Sequence, residues 1–157
     1  MKCIALAASL VILAPFGASA QTTDQLVKGA ADTTNVLNYG MGYNLQRFSP
    51  LTQINKDNVK NLVPVWNYSF ADDRSAQSQP IVYQGVIYIT NHNATMAVDA
   101  KTGKQIWKTK VEYPAETPRI TCCGIINRGA ALFDGKLFRT TLDAHVEHDD
   151  LLQRRTP

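Results

Sequence analysis

Cysteine is nearly absent from this chain: 157 residues contain 3. That is too few for a disulfide-rich scaffold. Long apolar runs are also missing after residue 16, so nothing beyond the N-terminus offers the roughly 20 residues of a membrane-spanning helix. Charge is modest, at 18% of residues with a formal net charge of +3. No stripe of Lys and Arg interleaved with aromatics occurs, which leaves nucleic-acid binding without support. Low-complexity segments are absent, and the composition is that of an ordinary folded globular protein.

The first 20 residues stand apart. Met1-Lys2 gives a short positive start, and Cys3 to Phe16 is apolar apart from Ser9. Ala18-Ser19-Ala20 is an A-x-A cleavage pattern, with Gln21 the first expected mature residue. This is the layout of a secretory signal peptide. Export places the chain in an oxidising compartment where a disulfide persists. Removal of residues 1–20 takes away Cys3 and Lys2, leaving 137 residues, a net charge of +2 and two cysteines.

Those two cysteines are neighbours, Cys122-Cys123. They can bond to each other, pair with another chain or stay reduced. Adjacent Cα atoms lie about 3.8 Å apart, whereas ordinary disulfides prefer about 4.4–6.8 Å. A bond between neighbours is therefore strained, and strain of that kind clusters at functional sites.

Residues 21–62 read as a polar extension. Residues 24–36 suit a short helix, ended by the turn signals around Gly40 and Gly42. Residues 57–62 read as one helical turn capped by Asn55 or Asp57. From Val63 the pattern is β. The expected strand pieces are residues 63–70, then Ile81-Val-Tyr83 and Val86 to Thr90 around Gln84-Gly85. Thr95 to Asp99 and Gln105 to Val111 follow, around a turn containing Gly103. About four short antiparallel strands are what one propeller blade needs.

A repeat supports this reading. Shifted by fifty positions, Gly85 falls on Gly135, Tyr83 on Phe133, Tyr88 on Phe138, Thr90 on Thr140 and Ala94 on Ala144. A period of that length indicates a propeller or solenoid, whose units need neighbours to cover both faces. The repeat stops after Val146. Glu147 and His148 then stand where the first unit has Ala97 and Val98. The sequence from 147 to 157 is therefore expected to be a solvated tail outside the core, or a cap, or the product of a changed reading frame. Backbone pairing could still carry a strand through Asp149.

Three stretches carry a family resemblance. Gln46 to Val59, Ala97 to Trp107, and Cys122-Cys123-Gly-Ile-Ile-Asn127-Arg128-Gly129-Ala130-Ala131 resemble the N-terminal part of quinoprotein alcohol dehydrogenases that depend on pyrroloquinoline quinone (PQQ). Thr141 to His145 continues the match, so the resemblance covers about residues 35–146. It implies an all-β fold: the first one to two blades, over residues 63–146, of an eight-bladed propeller left incomplete. It also implies PQQ as cofactor, with calcium or a lanthanide, in the full-length family. Cys122 and Cys123 would form a disulfide ring against one face of PQQ. Arg128 would contact the carboxylate or carbonyl side of the quinone, and Gln77 stands where several members carry a cofactor-contacting glutamate. The implied substrate is a primary alcohol and the implied electron acceptor a periplasmic cytochrome c. The family's catalytic base and metal ligands lie beyond residue 157, so no catalytic or metal residue is assigned, and cofactor binding by this part alone is not expected to be strong. His92, His145, His148 and Asp143 receive no functional role.

The leader is directly testable. Intact-mass measurement of the exported protein should show a chain beginning at Gln21; a product retaining Met1 would refute cleavage there.

Overall fold

The computed structural model describes residues 21–72, 74, 76–122 and 124–151. The expected leader, Cys123 and residues 152–157 lie outside the described residues.

Helix α1, Thr23–Val27, is shorter than the 24–36 expected. Its start has a local cause. The Thr22 hydroxyl accepts from Gln25 N at 3.2 Å, and the Gln25 side chain accepts from Thr22 N at 3.0 Å, a reciprocal cap. Its end has one too. Asp32 Oδ1 accepts from the backbone N–H groups of Thr34 and Asn35, which favours a turn over further helix. A single 3-10 turn, Gly29–Ala31, separates the two. Val36 then bridges Val82, fastening the extension to the first sheet. The turn near residue 60 is likewise a 3-10 turn, Val59–Asn61, whose N-cap is Asn58 and not Asn55 or Asp57; Asn55 instead accepts from Asp57 N and Asn58 N in the turn just before it.

The first sheet is an antiparallel meander of β1 (Ile81–Tyr83), β2 (Val86–Thr90), β3 (Ala94–Asp99) and β4 (Gln105–Lys110). The β1–β2 hairpin turns on Gln84 (φ 48°) and Gly85 (φ 75°). Two positive φ values in a two-residue loop match the right-handed twist of the strands. Residues 63–70 form no strand of this sheet, contrary to the alternation read there. They run alongside it, held by side chains. Trp66 Nε1 donates to Ala100 O at 3.1 Å, Tyr68 OH donates to Gln105 Oε1 at 2.6 Å, and Lys108 Nζ reaches Phe70 O at 3.4 Å. The Trp66 ring lies flush on Gly103, where a Cβ would come within 2.6 Å of it. Gly103 is also at φ 71°, so both space and backbone require glycine there.

Helix α2, Thr117–Ile120, precedes the second sheet. That sheet contains β5 (Ala131–Phe133), β6 (Lys136–Thr140) and β7 (Val146–Asp150), in order. Its first hairpin repeats the earlier one fifty residues on, with Asp134 at φ 45° and Gly135 at φ 71°. The third strand does not keep that spacing. Tyr88 pairs with Ala97, but Phe138 pairs with His148, one residue beyond a constant shift of fifty. The loop between β6 and β7 therefore holds one extra residue.

This slip corrects the expectation of a solvated tail for residues 147–151; residues 152–157 of that expected tail lie outside the described residues. Residues 147–150 belong to β7, and Asp149, not His148, takes the position of Val98. Asp149 is buried and accepts a 2.8 Å hydrogen bond from the Thr109 hydroxyl. The carboxylate thus has a partner, which removes much of the cost of its burial. Leu151 takes the place of Ala100. Its N–H donates to Gly135 O just as Ala100 N donates to Gly85 O, and its side chain is 2% exposed within the core.

One apolar cluster joins the two sheets and the extension. Leu26 and Leu37 meet Ile81, Tyr83, Val86, Tyr88, Ala97 and Trp107, together with Leu132, Leu137 and Leu151. β3 is buried from Ala94 to Val98. The second sheet instead exposes Phe133 and Val146. A sheet covered on one side only is what the repeat implies for a unit without its next neighbour.

Leu151→Ala should therefore destabilise the fold by about 2–5 kcal/mol. Val146→Ala, on an exposed side chain five residues earlier, should change stability by less than about 0.5 kcal/mol. Denaturant midpoints measure both; equal, small effects would return Leu151 to the status of tail.

Candidate functional site

The two sheets and the extension enclose a cleft of about 610 Å³. Tyr39 comes from the extension, Gln77 and Gln79 from the segment leading into β1, Arg128 to Ala131 from the segment leading into β5, and Phe138, Arg139 and Thr140 from β6. Each wall is held by specific bonds. Gln79 spans two loops, accepting from Gly40 N at 2.8 Å and donating to Asn38 O at 3.2 Å. The Tyr39 hydroxyl takes a 2.6 Å hydrogen bond from Arg47, whose guanidinium also stacks 5.4 Å above the ring.

Asn127 fixes the third wall. Its Oδ1 accepts from the Thr90 hydroxyl at 2.6 Å and from Gly129 N at 2.9 Å, while its Nδ2 donates to Thr140 O at 2.9 Å. One buried amide thereby ties β2 to β6 and sets the backbone on either side of Arg128. Arg128 itself is exposed at the cleft, as is Gln77.

The electrostatics have one sign. The lining contains two guanidinium groups, Arg128 and Arg139, two amides, and no Asp or Glu. Such a surface attracts anions, and low-dielectric walls strengthen that attraction. Tyr39 and Phe138 add aromatic surface, suited to a flat ligand. The acidic groups lie elsewhere. Asp143 is held below the usual carboxylate range, chiefly by the Thr141 hydroxyl and then by His145, and these three close the β6–β7 turn. Asp72 lies 2.9 Å from His92 Nδ1, off the line of a ring N–H bond, and accepts instead from Asn91 Nδ2 at 3.0 Å.

The chain matches the family described as "PQQ: Glucose/ethanol/alcohol dehydrogenase, beta-propeller domain" over residues 37–147. It belongs to that PQQ propeller family. Quinoprotein ethanol dehydrogenases of Pseudomonas putida and Pseudomonas aeruginosa are 40% and 42% identical over 149 residues. Each alignment covers 93% of this chain and 24% of the relative, so the chain spans about a quarter of their length. Among solved structures, the quinohemoprotein alcohol dehydrogenase of Pseudomonas putida HK5 superposes with a TM-score of 0.73 at 33% identity, over 83% of this chain and 19% of that one. A europium-containing methanol dehydrogenase gives 0.74 at 28% identity, over 82% and 23%. The two sheets are thus blades of a quinoprotein propeller, present here as part of the ring.

Within that PQQ family fold, Gln77 and Arg128 line one cleft although 51 positions separate them. Cys122 is exposed just after α2 and is not among the lining residues. Cys123 lies outside the described residues. Two cleft residues were not singled out by sequence. Gln79 carries no sequence signal. Arg139 does: it follows Leu137-Phe138 at the position where the first unit has the apolar Ile89.

Asn127→Ala should cost about 2–4 kcal/mol, because it removes three hydrogen bonds and strands the buried Thr90 hydroxyl. Asn127→Asp keeps one acceptor but turns an ionised oxygen onto the Thr140 carbonyl in a buried site, so near neutral pH its loss should be at least as large. Denaturant unfolding of the two variants would show the order, and the reverse order would contradict this account of the hub.

Proposed function

We propose that this chain is the N-terminal part of an exported, PQQ-dependent alcohol dehydrogenase acting on a primary alcohol. The observation that carries the reading is the meeting of Gln77 and Arg128 in one acid-free, partly aromatic cleft of a PQQ-family propeller. PQQ is a flat quinone bearing carboxylates, and the charge and shape of this lining fit it. When bound, it supplies the acceptor for the hydride leaving the alcohol carbon.

The chain's own residues bind and orient. Arg128 is always charged and offers paired N–H donors, which suits a carboxylate or adjacent carbonyl of the quinone. Gln77 keeps an acceptor and adds a donor, without the charge of a glutamate. Cys122 and Cys123 bond to each other and present the resulting ring to one face of the quinone. Asn127 holds the backbone that carries Arg128. Proton removal from the alcohol and metal coordination fall to residues beyond those present, with calcium or a lanthanide as the ion; similarity to a europium-containing methanol dehydrogenase supports a metal of this kind. Electron delivery to a periplasmic cytochrome c is supported by similarity to a 1-butanol dehydrogenase (cytochrome c) of Thauera butanivorans, 40% identical over 101 residues. The leader-like residues 1–20 support a periplasmic location.

A second reading is favoured by the coverage, about a quarter of its relatives' length: a truncated propeller fragment with a binding role or no independent activity. Dye-linked assays with ethanol or methanol, added PQQ and calcium or a lanthanide separate the two levels. The isolated chain should bind PQQ weakly and show no turnover. Peptide mapping under non-reducing, alkylating conditions should find Cys122 and Cys123 protected. Two alkylated cysteines would overturn the disulfide role, and turnover abolished by Arg128→Met would overturn the assignment of catalysis to absent residues.

A further inference from the structure

Arg139 lies in the wall of the cleft and is 4% exposed. Burying a cation costs several kcal/mol unless it is compensated. Compensation here comes from neutral groups. Nη1 donates to the Thr95 hydroxyl at 3.2 Å, and Nη2 donates to Asn91 O at 3.3 Å and His92 O at 3.0 Å. Nε has no hydrogen-bond partner and is shut off from water. Among the described residues no carboxylate comes within 4.0 Å of the guanidinium. Glu147 stands opposite Arg139 in the β6–β7 register without closing an ion pair. The cation is thus clamped by neutral groups, and the cleft beside it is lined by Arg128 and no acid.

We propose that Arg139 is a second, buried cationic anchor of the cleft, which with Arg128 selects a planar aromatic polycarboxylate. The proposal rests on the PQQ reading, since PQQ is one such polycarboxylate. Arg128 is exposed and supplies direct contact; Arg139 acts from behind the wall as a fixed positive charge. Water screens a buried charge much less than an exposed one. The clamp to Asn91, His92 and Thr95 belongs to the neighbouring sheet, so the guanidinium does not reorganise when the anion arrives. A purely structural role would need the three hydrogen bonds and not the charge.

The test uses the whole chain, with PQQ, its uncharged trimethyl ester, and the variants Arg139→Lys, Arg139→Met and Arg128→Met. Circular dichroism and thermal midpoints establish folding, and ligand fluorescence or calorimetry reads affinity. Arg139→Met should weaken PQQ binding about tenfold or more and Arg139→Lys by less than about threefold, with ester binding little changed. The preference for PQQ over its ester should shrink as salt rises. A folded Arg139→Met that binds PQQ like the parent, or loses PQQ and ester equally, overturns the proposal. Should Arg139→Met not fold, Arg128→Met decides: a remaining preference for the anion over the ester supports the second anchor, and none overturns it. Failure of the parent to bind PQQ at all defeats the PQQ reading separately. Benzene-1,3,5-tricarboxylate and its trimethyl ester then judge Arg139 by the same comparisons, and absence of binding there too overturns the anchor.

Discussion

The arrangement depends on a buried polar junction between the two sheets. Thr90, Asn127 and Thr140 form one bridge across it, Arg139 with Thr95, Asn91 and His92 a second, and Thr109 with Asp149 a third. Apolar packing at the same junction is real but non-directional; Leu132, Leu137 and Leu151 could meet the first sheet in several registers. Hydrogen bonds in a low-dielectric interior cannot slide so cheaply, because every shifted register leaves buried donors or acceptors unpaired. The polar bridges therefore fix how one blade sits on the next. Since the cleft opens along that seam, they also fix the distance between its walls.

Much of this was legible in sequence. Turn chemistry is local, so Gln84-Gly85, Asp134-Gly135 and Gly103 announced their hairpins, and the fifty-residue offset through Thr140 gave matching strands. The strand pattern over 63–70 was also read from alternation, and there it misled. Val63 and Val65 are largely exposed, and Trp66, Tyr68 and Phe70 are held through a ring, a hydroxyl and a carbonyl and not through a ladder. Alternation records which side chains point the same way. It does not record whether the backbone has a partner strand.

The tail shows a different limit. Offset fifty set charged residues against Ala97 and Val98, and burial seemed too costly. One extra residue in the Thr141–His145 turn changes the comparison, since a slip of one position exchanges the two faces of a strand. Asp149 then meets Thr109, and Leu151 enters the core. Neither the insertion nor the distant hydroxyl is visible in a strand pattern. Family likeness pointed to Gln77 and Arg128, which the fold brings to one cleft, but Arg139 required the fold, because only the seam between sheets shows that this arginine is buried beside the cleft with no carboxylate within 4.0 Å among the described residues.

The exposed apolar groups fit the same geometry. Phe133 and Val146 lie on the open side of the second sheet, and Phe48, Leu51, Ile54, Leu62, Val63 and Val65 line the extension. In a propeller each blade covers its neighbour, so the third position around the ring supplies the natural cover for the second sheet. The first sheet shows what such cover accomplishes: β3, flanked on both sides, buries Ala94 to Val98 without interruption. Covering the second sheet would shield Phe138 and the cleft beside it from water and strengthen the field of Arg128 and Arg139. In a complete ring, the neighbour that covers the second sheet would thus also exclude water from the cleft.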